Sequence, residues 1–292
     1  MFDCRAAGDY NVDNNFYNAI EGMARMSFSW HHYHQMIYLT ADLLTAAGVV
    51  KHAFSTRHGQ RKGKVTTNFD LGLKNADPVS ASEMRQQFLA AVGIDLVNLV
   101  AGQQSHGTRV QVVTTAPRGA YSWENGFPAT DALITAQPNI ALSVYTADCV
   151  PLLFLDPVRK CIGAAHAGWR GSIEGIAVAT LAALRKNFGS RPEHILVAIG
   201  PAIGPCCYEV DQRVLLPLSE HIPFWRELIY PSRPGHYRLD LWTLNQRLLT
   251  SAGVKKDHIA IAKLCTFHRN QDFFSYRAEH SRAGSLMAVI SL

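Results

Sequence analysis

Short apolar segments separated by polar turns recur from Met36 onward, a pattern typical of strands that alternate with helices. Four of these segments follow one another closely and are almost continuously apolar, so they predict buried strands at the centre of a sheet. They are DALITA, IALSVYTAD, VPLLFLD and KCIGAAHAG. Shorter segments predict further strands, namely VVKHAFSTR, NLVAGQQ, TRVQVVTT, HILVAIG, HIAIAK and SLMAVISL.

Longer segments with apolar residues every three or four positions predict helices. ASEMRQQFLAAVG ends at Gly93, and SIEGIAVATLAALRKNFG begins at the N-cap Ser172 and ends at Gly189. LDLWTLNQRLLTSAG predicts a third helix, MIYLTADLLTAAG a helix or a strand followed by a helix, and HGQRKGKVTTNFDLG a polar loop. No linker rich in Pro or Ser interrupts residues 36–292. We therefore predict one α/β (α+β) domain in which mixed β-sheets are flanked by helices.

The first 35 residues have a different character. They are rich in Asn, Asp and aromatic residues and show little periodicity, which predicts an N-terminal extension, either disordered or foreign to the native protein, ahead of a catalytic domain at residues 36–292. The histidines in this segment, His31, His32 and His34, are interpreted as a solvated run in preference to a metal site.

Composition narrows the class of protein. A 48% apolar and 17% charged composition is that of a globular chain with a substantial core. The net charge is +5, but the 28 Lys and Arg residues are scattered, so we expect no nucleic-acid partner. Neither a membrane-spanning run nor a secretory signal is evident. Six cysteines are too few for a disulfide scaffold, so we expect a cytoplasmic protein, and the absence of heptads favours a monomer.

Candidate chemistry is found where three of the predicted strands end beside glycine. His106 in QQSHGTR, Cys149 in YTADCVPL and His166 in AAHAGWRG could together supply the three protein ligands of a catalytic zinc. Their wide spacing is not specific, and two core histidines with a buried thiol remain an alternative. Cys149 paired with either histidine could instead serve as a nucleophile. The neighbouring Asp148 has either a structural or a catalytic role.

Four other segments contain candidate binding residues. HAGWRG places Arg170 just before the long helix, where it could bind an anion or form a structural ion pair, and STRHG holds Thr56 and Arg57. GPAIGPCCYEV predicts a tight loop after a strand, with Tyr208 at its end. In CTFHRNQDFFSYR the aromatic side chains either stack on a planar base or fill the core.

In their order along the chain, the motifs STRHG, NFDLGL, QQSHG, DAL, TADCVPL, HAGWRG, IGPAIGPCCYEV, DLW and FFSYR resemble the multicopper polyphenol oxidase (laccase-like), or YfiH-like, family. The resemblance covers residues 36–292. It implies a single-domain fold similar to that of bacterial toxin cysteine hydrolases. It also implies one zinc ion bound by His106, Cys149 and His166, with copper as the older claim for the family.

The same resemblance implies the reaction. Family members are described as purine nucleoside enzymes that phosphorolyse adenosine, inosine and methylthioadenosine and deaminate adenosine. Editing of peptidoglycan precursors and polyphenol oxidation are the other activities proposed for the family. Small-molecule nucleosides and phosphate are thus the expected partners. The residues expected at the site are, as catalytic groups, Cys149, His106, His166 and Arg170, and, for substrate binding, Arg57, Thr56, Tyr208, Phe274 and Tyr276.

Three hypotheses follow. The first is a zinc-dependent purine nucleoside enzyme in which Arg57 and Arg170 hold phosphate. The second is a cysteine hydrolase acting on a cell-wall precursor, with Cys149 as the nucleophile. The third is a zinc-binding interaction protein without catalytic activity. Chelation distinguishes the first two, because removal of the metal abolishes zinc catalysis and spares a thiolate nucleophile.

Overall fold

The computed structural model of the protein describes residues 27–73, 77–115 and 123–292. Its strands in chain order are β1 (Phe28–Tyr33), β2 (Met36–Ala41), β3 (Lys51–Ser55), β4 (Gly59–Arg61), β5 (Lys64–Thr66), β6 (Leu99–Ala101), β7 (Val110–Val112), β8 (Ala132–Thr135), β9 (Ala141–Thr146), β10 (Val150–Asp156), β11 (Cys161–Ala167), β12 (Leu196–Ile199), β13 (Glu209–Val210), β14 (Ile229–Pro231), β15 (Tyr237–Leu239), β16 (Ile259–Ile261) and β17 (Leu286–Ser291). Its α-helices are α1 (Asp42–Ala46), α2 (Pro78–Val92), α3 (Trp169–Ile173), α4 (Ile176–Phe188), α5 (Gln212–His221), α6 (Leu241–Ser251) and α7 (Tyr276–Glu279).

Most strands belong to two six-stranded sheets. The first sheet has the order β1-β2-β3-β17-β9-β6, and the second has the order β16-β12-β10-β11-β8-β7. Both are mixed, because the pairs β6/β9, β7/β8 and β12/β16 are parallel and the other pairs are antiparallel. A three-stranded sheet, β13-β15-β14, and the hairpin β4-β5 complete the strands.

The two large sheets pack face to face, as strand β10 illustrates. All seven of its residues are buried, and successive side chains point to opposite faces of the sheet. Leu153 and Leu155 join the apolar layer between the sheets, whereas Leu152 and Phe154 join the layer beneath the helices. This explains why VPLLFLD is continuously apolar and does not alternate.

Helices cover the two outer faces. Met84 and Phe88 of α2 pack on the first sheet, and Leu181 of α4 and Leu244 of α6 pack on the second. The result is four layers, helix–sheet–sheet–helix, which confirms the predicted single-domain α/β (α+β) class with mixed sheets flanked by helices. No helix within the described ranges has both the length and the apolar character needed to cross a bilayer.

Local signals in the sequence place the ends of α2. Asp77 accepts a hydrogen bond from the Ser80 amide, Pro78 occupies the first turn, and Gly93 ends the helix with a φ of 73°. The predicted end at Gly93 is therefore confirmed, as is the strand-plus-helix alternative for MIYLTADLLTAAG, which forms β2 and α1.

The long helix predicted from Ser172 to Gly189 ends as predicted at Gly189, but its start at Ser172 and its continuity are wrong. Gly175 has a φ of 86°, which interrupts the helical conformation and separates α3 from α4. Since α3 begins at Trp169, the preceding segment turns directly from the end of β11 into a short helix. The predicted polar loop HGQRKGKVTTNFDLG is also only partly a loop, because it contains the hairpin β4-β5.

Part of the predicted N-terminal extension forms a strand. Residues 28–33 form β1 and pair in antiparallel fashion with β2, and the proposed boundary at residue 36 coincides with the start of β2. His31 stacks on Tyr38, whereas His32 and His34 lie in or beside the same hairpin. The remainder of the extension, residues 1–26, lies outside the described residues.

Candidate metal and substrate site

Two neighbouring strands bring Cys149 and His166 together. In the antiparallel pair β10/β11, Val150 lies opposite Ala167 and Pro151 lies opposite His166. Cys149 directly precedes β10, so it lies at the same end of the sheet as His166. The first residue of the following turn is Gly168, which is therefore close to both.

His106 approaches from a loop between β6 and β7. Its φ of 64° lies in the left-handed region and produces a sharp turn of the backbone at this residue. Its Nε2 lies 3.8 Å from the Cys149 Sγ, and its ring meets the His166 ring edge-on with centroids 4.8 Å apart. The ligand atoms of His106, Cys149 and His166 all lie within 4.8 Å of one another. The structure thus brings together the three residues that were predicted to bind metal.

Asp131, immediately before β8, fixes both histidines. Its Oδ1 accepts hydrogen bonds from the His106 amide at 2.9 Å and from His166 Nδ1 at 2.8 Å. Its Oδ2 accepts from the amides of Ser105 and Gly107, both at 3.0 Å. With Nδ1 of His166 occupied, Nε2 is the nitrogen left to face Cys149 and a metal. Sequence reasoning assigned no role to Asp131, although DAL, an aspartate at the start of a buried strand, was the signal.

The electrostatics favour a thiolate at this position. Burial opposes ionisation of the thiol, but His166 and His106 lower the pKa of Cys149 to about 6. Burial likewise opposes protonation of His166, but the Cys149 thiolate and the Asp131 carboxylate raise the pKa of His166 to about 9. The pKa of Asp131 falls to about 2, because His166 and the amides of Ser105 and Gly107 outweigh its burial. In the absence of metal, these shifts describe a thiolate–imidazolium pair with an aspartate behind it.

Gly168 lets the three ligands approach one another. A Cβ atom added at this position would lie 2.6 Å from Cδ2 of His106 and 3.3 Å from the Cys149 Sγ. Since its φ is −66°, the requirement for glycine here is steric and does not arise from backbone strain.

Asp148 has the structural role that the sequence left open. Its φ of 85° turns the chain between β9 and Cys149. Its carboxylate accepts from the Thr266 hydroxyl at 2.6 Å and from the Arg277 amide at 2.6 Å. Asp148 therefore ties Cys149, a candidate metal ligand, to the C-terminal segment that contains Arg277.

A cavity of about 420 Å³ lies beside the ligands. Its walls are formed by Trp169, Arg170, Tyr208, Glu209, Val210, Asp211, Arg213, Val214, Arg233, His236 and Arg277. Trp169 and Arg170 follow Gly168 directly, and Tyr208 is within electrostatic reach of Cys149, Arg170 and Arg277. Burial raises the pKa of Tyr208, so its hydroxyl remains protonated at neutral pH. The cavity thus provides a cationic space with a hydroxyl donor next to the candidate metal ligands.

Only some of the anion- and substrate-binding residues predicted from the sequence lie at the cavity. Tyr208 and Arg170 line the cavity, whereas Thr56, Arg57, Phe274 and Tyr276 do not. Thr56 is buried and donates to the Ile37 carbonyl at 2.6 Å. Tyr276 is 60% exposed.

Arg57 and Phe274, which are not part of the cavity wall, contact each other. The Arg57 guanidinium lies 4.6 Å from the centre of the buried Phe274 ring and is paired with Glu279. It also donates to the carbonyl groups of Thr67 and Asn270. A role for these residues in substrate binding stays a prediction.

The donor set is chemically suited to a metal ion. Two imidazoles and one thiolate are the ligands that zinc and copper accept, and three protein ligands leave a coordination position for substrate or water. The Asp131 carboxylate behind His166 is the arrangement that orients a metal-bound histidine. In the part of the chain that the structure describes, the other group of three closely spaced ligands consists of cysteines alone.

Comparison with known proteins gives consistent matches. The family model described as multi-copper polyphenol oxidoreductase laccase matches residues 51–292. The purine nucleoside phosphorylase YlmD of Geobacillus stearothermophilus is 36% identical over 253 residues, which cover 84% of this chain and 90% of YlmD. The adenosine deaminase RL5, from an unknown prokaryotic organism, is 30% identical over 233 residues, covering 77% of this chain and 87% of RL5.

A solved structure extends the likeness to the fold. The crystal structure of the Bacillus licheniformis hypothetical protein YfiH has a TM-score of 0.82 and 32% identity, and the match covers 90% of this chain and 98% of YfiH. Together with the relatives' names, the matches confirm the predicted family and the prediction that the chain is an enzyme. The chain belongs to the multi-copper polyphenol oxidoreductase laccase family, to which the YfiH-like resemblance had pointed.

Proposed function

We propose that the protein is a zinc-dependent purine nucleoside enzyme that phosphorolyses adenosine, inosine and methylthioadenosine and deaminates adenosine. The observation that carries the proposal is the placement of His106, Cys149 and His166 beside a cationic cavity large enough for a small substrate. The names of the relatives, purine nucleoside phosphorylase and adenosine deaminase, support the choice of substrate.

His106, Cys149 and His166 are the residues that would hold the zinc ion, with Asp131 orienting His166. Zinc bound there supplies Lewis acidity, which polarises a substrate oxygen and lowers the pKa of water. Zinc is preferred to copper because neither proposed reaction is a redox reaction and zinc has no redox chemistry of its own.

Phosphorolysis requires a group that binds phosphate and a group that assists the departing base, and side chains of the cavity can supply both. An oxygen of hydrogen phosphate forms a bond to the sugar C1′ as the bond from C1′ to the purine N9 breaks, and the electron pair of that bond goes to N9. The proton of the phosphate ends on the purine, so the products are a sugar 1-phosphate and a neutral base. Arg170 on the cavity wall helps to hold the anion, and the protonated Tyr208 hydroxyl donates a hydrogen bond to the departing base.

Deamination has different requirements. Water replaces the amino group at C6 of adenine, and ammonia leaves, so no phosphate is consumed. The two reactions can therefore be measured separately on one nucleoside, with adenine as the product of phosphorolysis and inosine as the product of deamination.

The test is to incubate metal-analysed protein with adenosine, with and without phosphate, and to separate the products by chromatography. We expect about one zinc per chain and adenine only when phosphate is present. The deamination product should appear in both conditions, as inosine without phosphate and as inosine together with hypoxanthine, its own phosphorolysis product, with phosphate. Cys149→Ala should lose the zinc and both products. Cys161→Ala is the matched control, because Cys161 is a free thiol at the far end of β11 and should retain zinc and turnover. Stoichiometric zinc without turnover of any of the three nucleosides would contradict the proposal.

A second candidate is a cysteine hydrolase acting on peptidoglycan precursors. The observation in its favour is the sequence of contacts from the Cys149 thiolate to His166 and on to Asp131, which is the order found in Cys–His–Asp catalytic groups. Chelation separates the candidates, because a hydrolase of this kind would keep its activity without metal. The older interpretation as a polyphenol oxidase needs many histidine ligands around several coppers, and the group at Cys149 contains two histidines.

A further inference from the structure

The four arginines that line the cavity are of two kinds. Arg213 pairs with Asp211 at 2.7 Å, and Arg233 pairs with Glu209 at 2.9 Å. Each of these arginines is matched by one carboxylate from the same wall of the cavity. Their charges are therefore largely cancelled by their partners, and both side chains are well exposed to solvent.

Arg170 and Arg277 are different. Among the described residues, neither has a carboxylate within the 4.0 Å of an ion pair, and both guanidinium groups lie over aromatic rings. The Arg170 guanidinium is 4.4 Å from the centre of the Trp169 ring, and the Arg277 guanidinium is 5.2 Å from the centre of the Tyr208 ring. Stacking of this kind holds the planar guanidinium group, with its fork of paired N–H donors, in one orientation. The edge of the guanidinium remains available to donate hydrogen bonds.

Both arginines are anchored to the metal ligands through the backbone. Arg170 is two residues beyond Gly168, whose position against His106 and Cys149 leaves no room for a side chain. The Arg277 amide donates to Asp148, the residue that precedes Cys149, and one Arg277 Nη donates to the Glu209 carbonyl at 3.0 Å. The uncompensated charge of the cavity is thus concentrated on the two arginines that are tied to the metal ligands.

We propose that Arg170 and Arg277 together form an oxyanion subsite that holds inorganic phosphate as the co-substrate, an inference that rests on the proposed function. Two stacked guanidinium groups from separate segments can each donate to a different pair of phosphate oxygens. Arg213 and Arg233 stay outside the subsite, because their forks are already occupied by Asp211 and Glu209.

The sequence suggested Arg57 as the second arginine that holds phosphate beside Arg170, and the proposed subsite replaces Arg57 with Arg277. Arg57 donates through Nε to the Thr67 carbonyl and through Nη1 to the Asn270 carbonyl and Glu279, so its fork is committed to the protein. It is also absent from the cavity wall. Arg277 takes the place that the sequence had given to Arg57.

The experiment measures phosphate in two ways on the zinc-loaded protein. Calorimetric titration with inorganic phosphate gives binding without turnover, and steady-state phosphorolysis of inosine gives the KM for phosphate. The variants are Arg170→Gln and Arg277→Gln, with Arg213→Gln as the matched control on the same cavity. Arg277→Gln keeps the backbone amide that contacts Asp148, and Arg277→Lys asks whether a charge without the fork suffices.

Each Gln variant at the subsite should weaken phosphate binding and raise the phosphate KM about 10- to 100-fold, the loss expected for charge-assisted hydrogen bonds. Zinc content and the urea unfolding midpoint of both variants should match those of the unaltered protein, which reports an intact fold and metal site. Arg213→Gln should leave phosphate affinity within about twofold.

The outcomes separate this proposal from the proposed function. Unchanged phosphate affinity in Arg277→Gln, or no phosphate binding by the unaltered protein, would overturn the subsite. Loss of phosphate binding in both Gln variants of a protein that turns over no nucleoside would support the subsite and overturn the nucleoside reaction. Arg277→Lys should recover part of the affinity; equal loss in Lys and Gln variants points to the fork as the essential feature and also supports the assignment.

Discussion

At the scale of single residues, the ligand group depends on how closely three side chains can approach a backbone turn. Gly168 lies at the end of β11 against His106 and Cys149, where a Cβ atom would be 2.6 Å from the imidazole ring of His106. Asp148, on the other side of Cys149, turns the chain through a φ of 85° and is held by Thr266 and Arg277. Neither residue carries the chemistry, yet the two determine where Cys149 can lie.

Gly168→Ala should therefore weaken metal binding without unfolding the protein. The added methyl group must displace His106, which lies on an exposed loop and can move, so the structural effect should remain local. A ligand moved away from a three-ligand set should lower zinc affinity by about 10-fold or more. Competition with a chromophoric chelator measures this affinity.

Gly107→Ala provides the comparison for that measurement. Gly107 is next to His106, but the nearest atom to an added Cβ would be the Ser105 hydroxyl at 3.5 Å, an ordinary contact. Its amide, which donates to Asp131, is kept. Equal zinc affinity in the two alanine variants would show that crowding at Gly168 does not control the position of His106.

At the scale of elements, the residue before β8 couples a loop to a strand. The Asp131 carboxylate is bonded to the loop that contains His106 and to the His166 ring on β11. Every group around its two oxygens is a donor, so an amide nitrogen at either position would face an N–H group. Both oxygens of the Asp131 side chain must therefore be hydrogen-bond acceptors, which only a carboxylate provides.

Asp131→Asn should disrupt the site more than its small change in size suggests. One Asn orientation loses the contact to His166 Nδ1 and the other loses the amides of Ser105 and Gly107, and each leaves buried donors unpaired. We expect about 10- to 100-fold weaker zinc binding and about 1–3 kcal/mol less stability. Zinc titration and urea unfolding measure the two effects. Ser105→Ala is the control, because it removes only one of the contacts to Asp131; wild-type zinc affinity in Asp131→Asn would contradict this account.

The buried strands could be predicted from the sequence, but several connections could not. Continuous apolar runs such as VPLLFLD identify strands covered on both faces, and a glycine after an amphipathic segment identifies the end of α2. The interruption at Gly175 was missed, because the apolar pattern continues from α3 into α4 and only the local φ separates them. The strands β13, β14 and β15 are too short to give a periodic signal.

The candidate site shows the same division between local and distant information. His106, Cys149 and His166 could be named because each stands at the end of a recognisable strand pattern or motif. The proposed choice of Arg277 in place of Arg57 could not be made from the sequence. It depends on contacts between residues 57 and 279 and between residues 148 and 277, which a single sequence does not reveal.

At the scale of the whole molecule, the four layers explain why the site is found at one end of the sheets. The faces of both large sheets are covered, so polar groups can reach solvent and substrate only where strands end. Cys149 and His166 lie at one end of β10 and β11, and the cavity is completed by β13, by the turn between β14 and β15 and by the start of α5. A stable arrangement of layers thus holds the loops that carry His106 and Tyr208 and the short helix α7 that carries Arg277.

The stability of this assembly should also depend on pH through His52, a buried residue of β3 whose Nε2 accepts a hydrogen bond from the Ala41 amide at 2.9 Å. Burial lowers the pKa of His52 from 6.5 to about 4. Between these values the unfolded chain binds a proton that the folded chain does not. The stabilising contribution of the neutral ring is therefore fully present above pH 6.5 and is lost as the pH falls toward 4, by about 3 kcal/mol at most.

Urea unfolding measured from pH 4 to pH 7 tests this pH dependence. His52→Gln is the comparison, because the glutamine side-chain oxygen can accept a hydrogen bond from the same amide and the side chain does not titrate. The decline in the free energy of unfolding should be steeper in the wild-type protein than in His52→Gln, and parallel pH profiles would show that His52 does not titrate with unfolding.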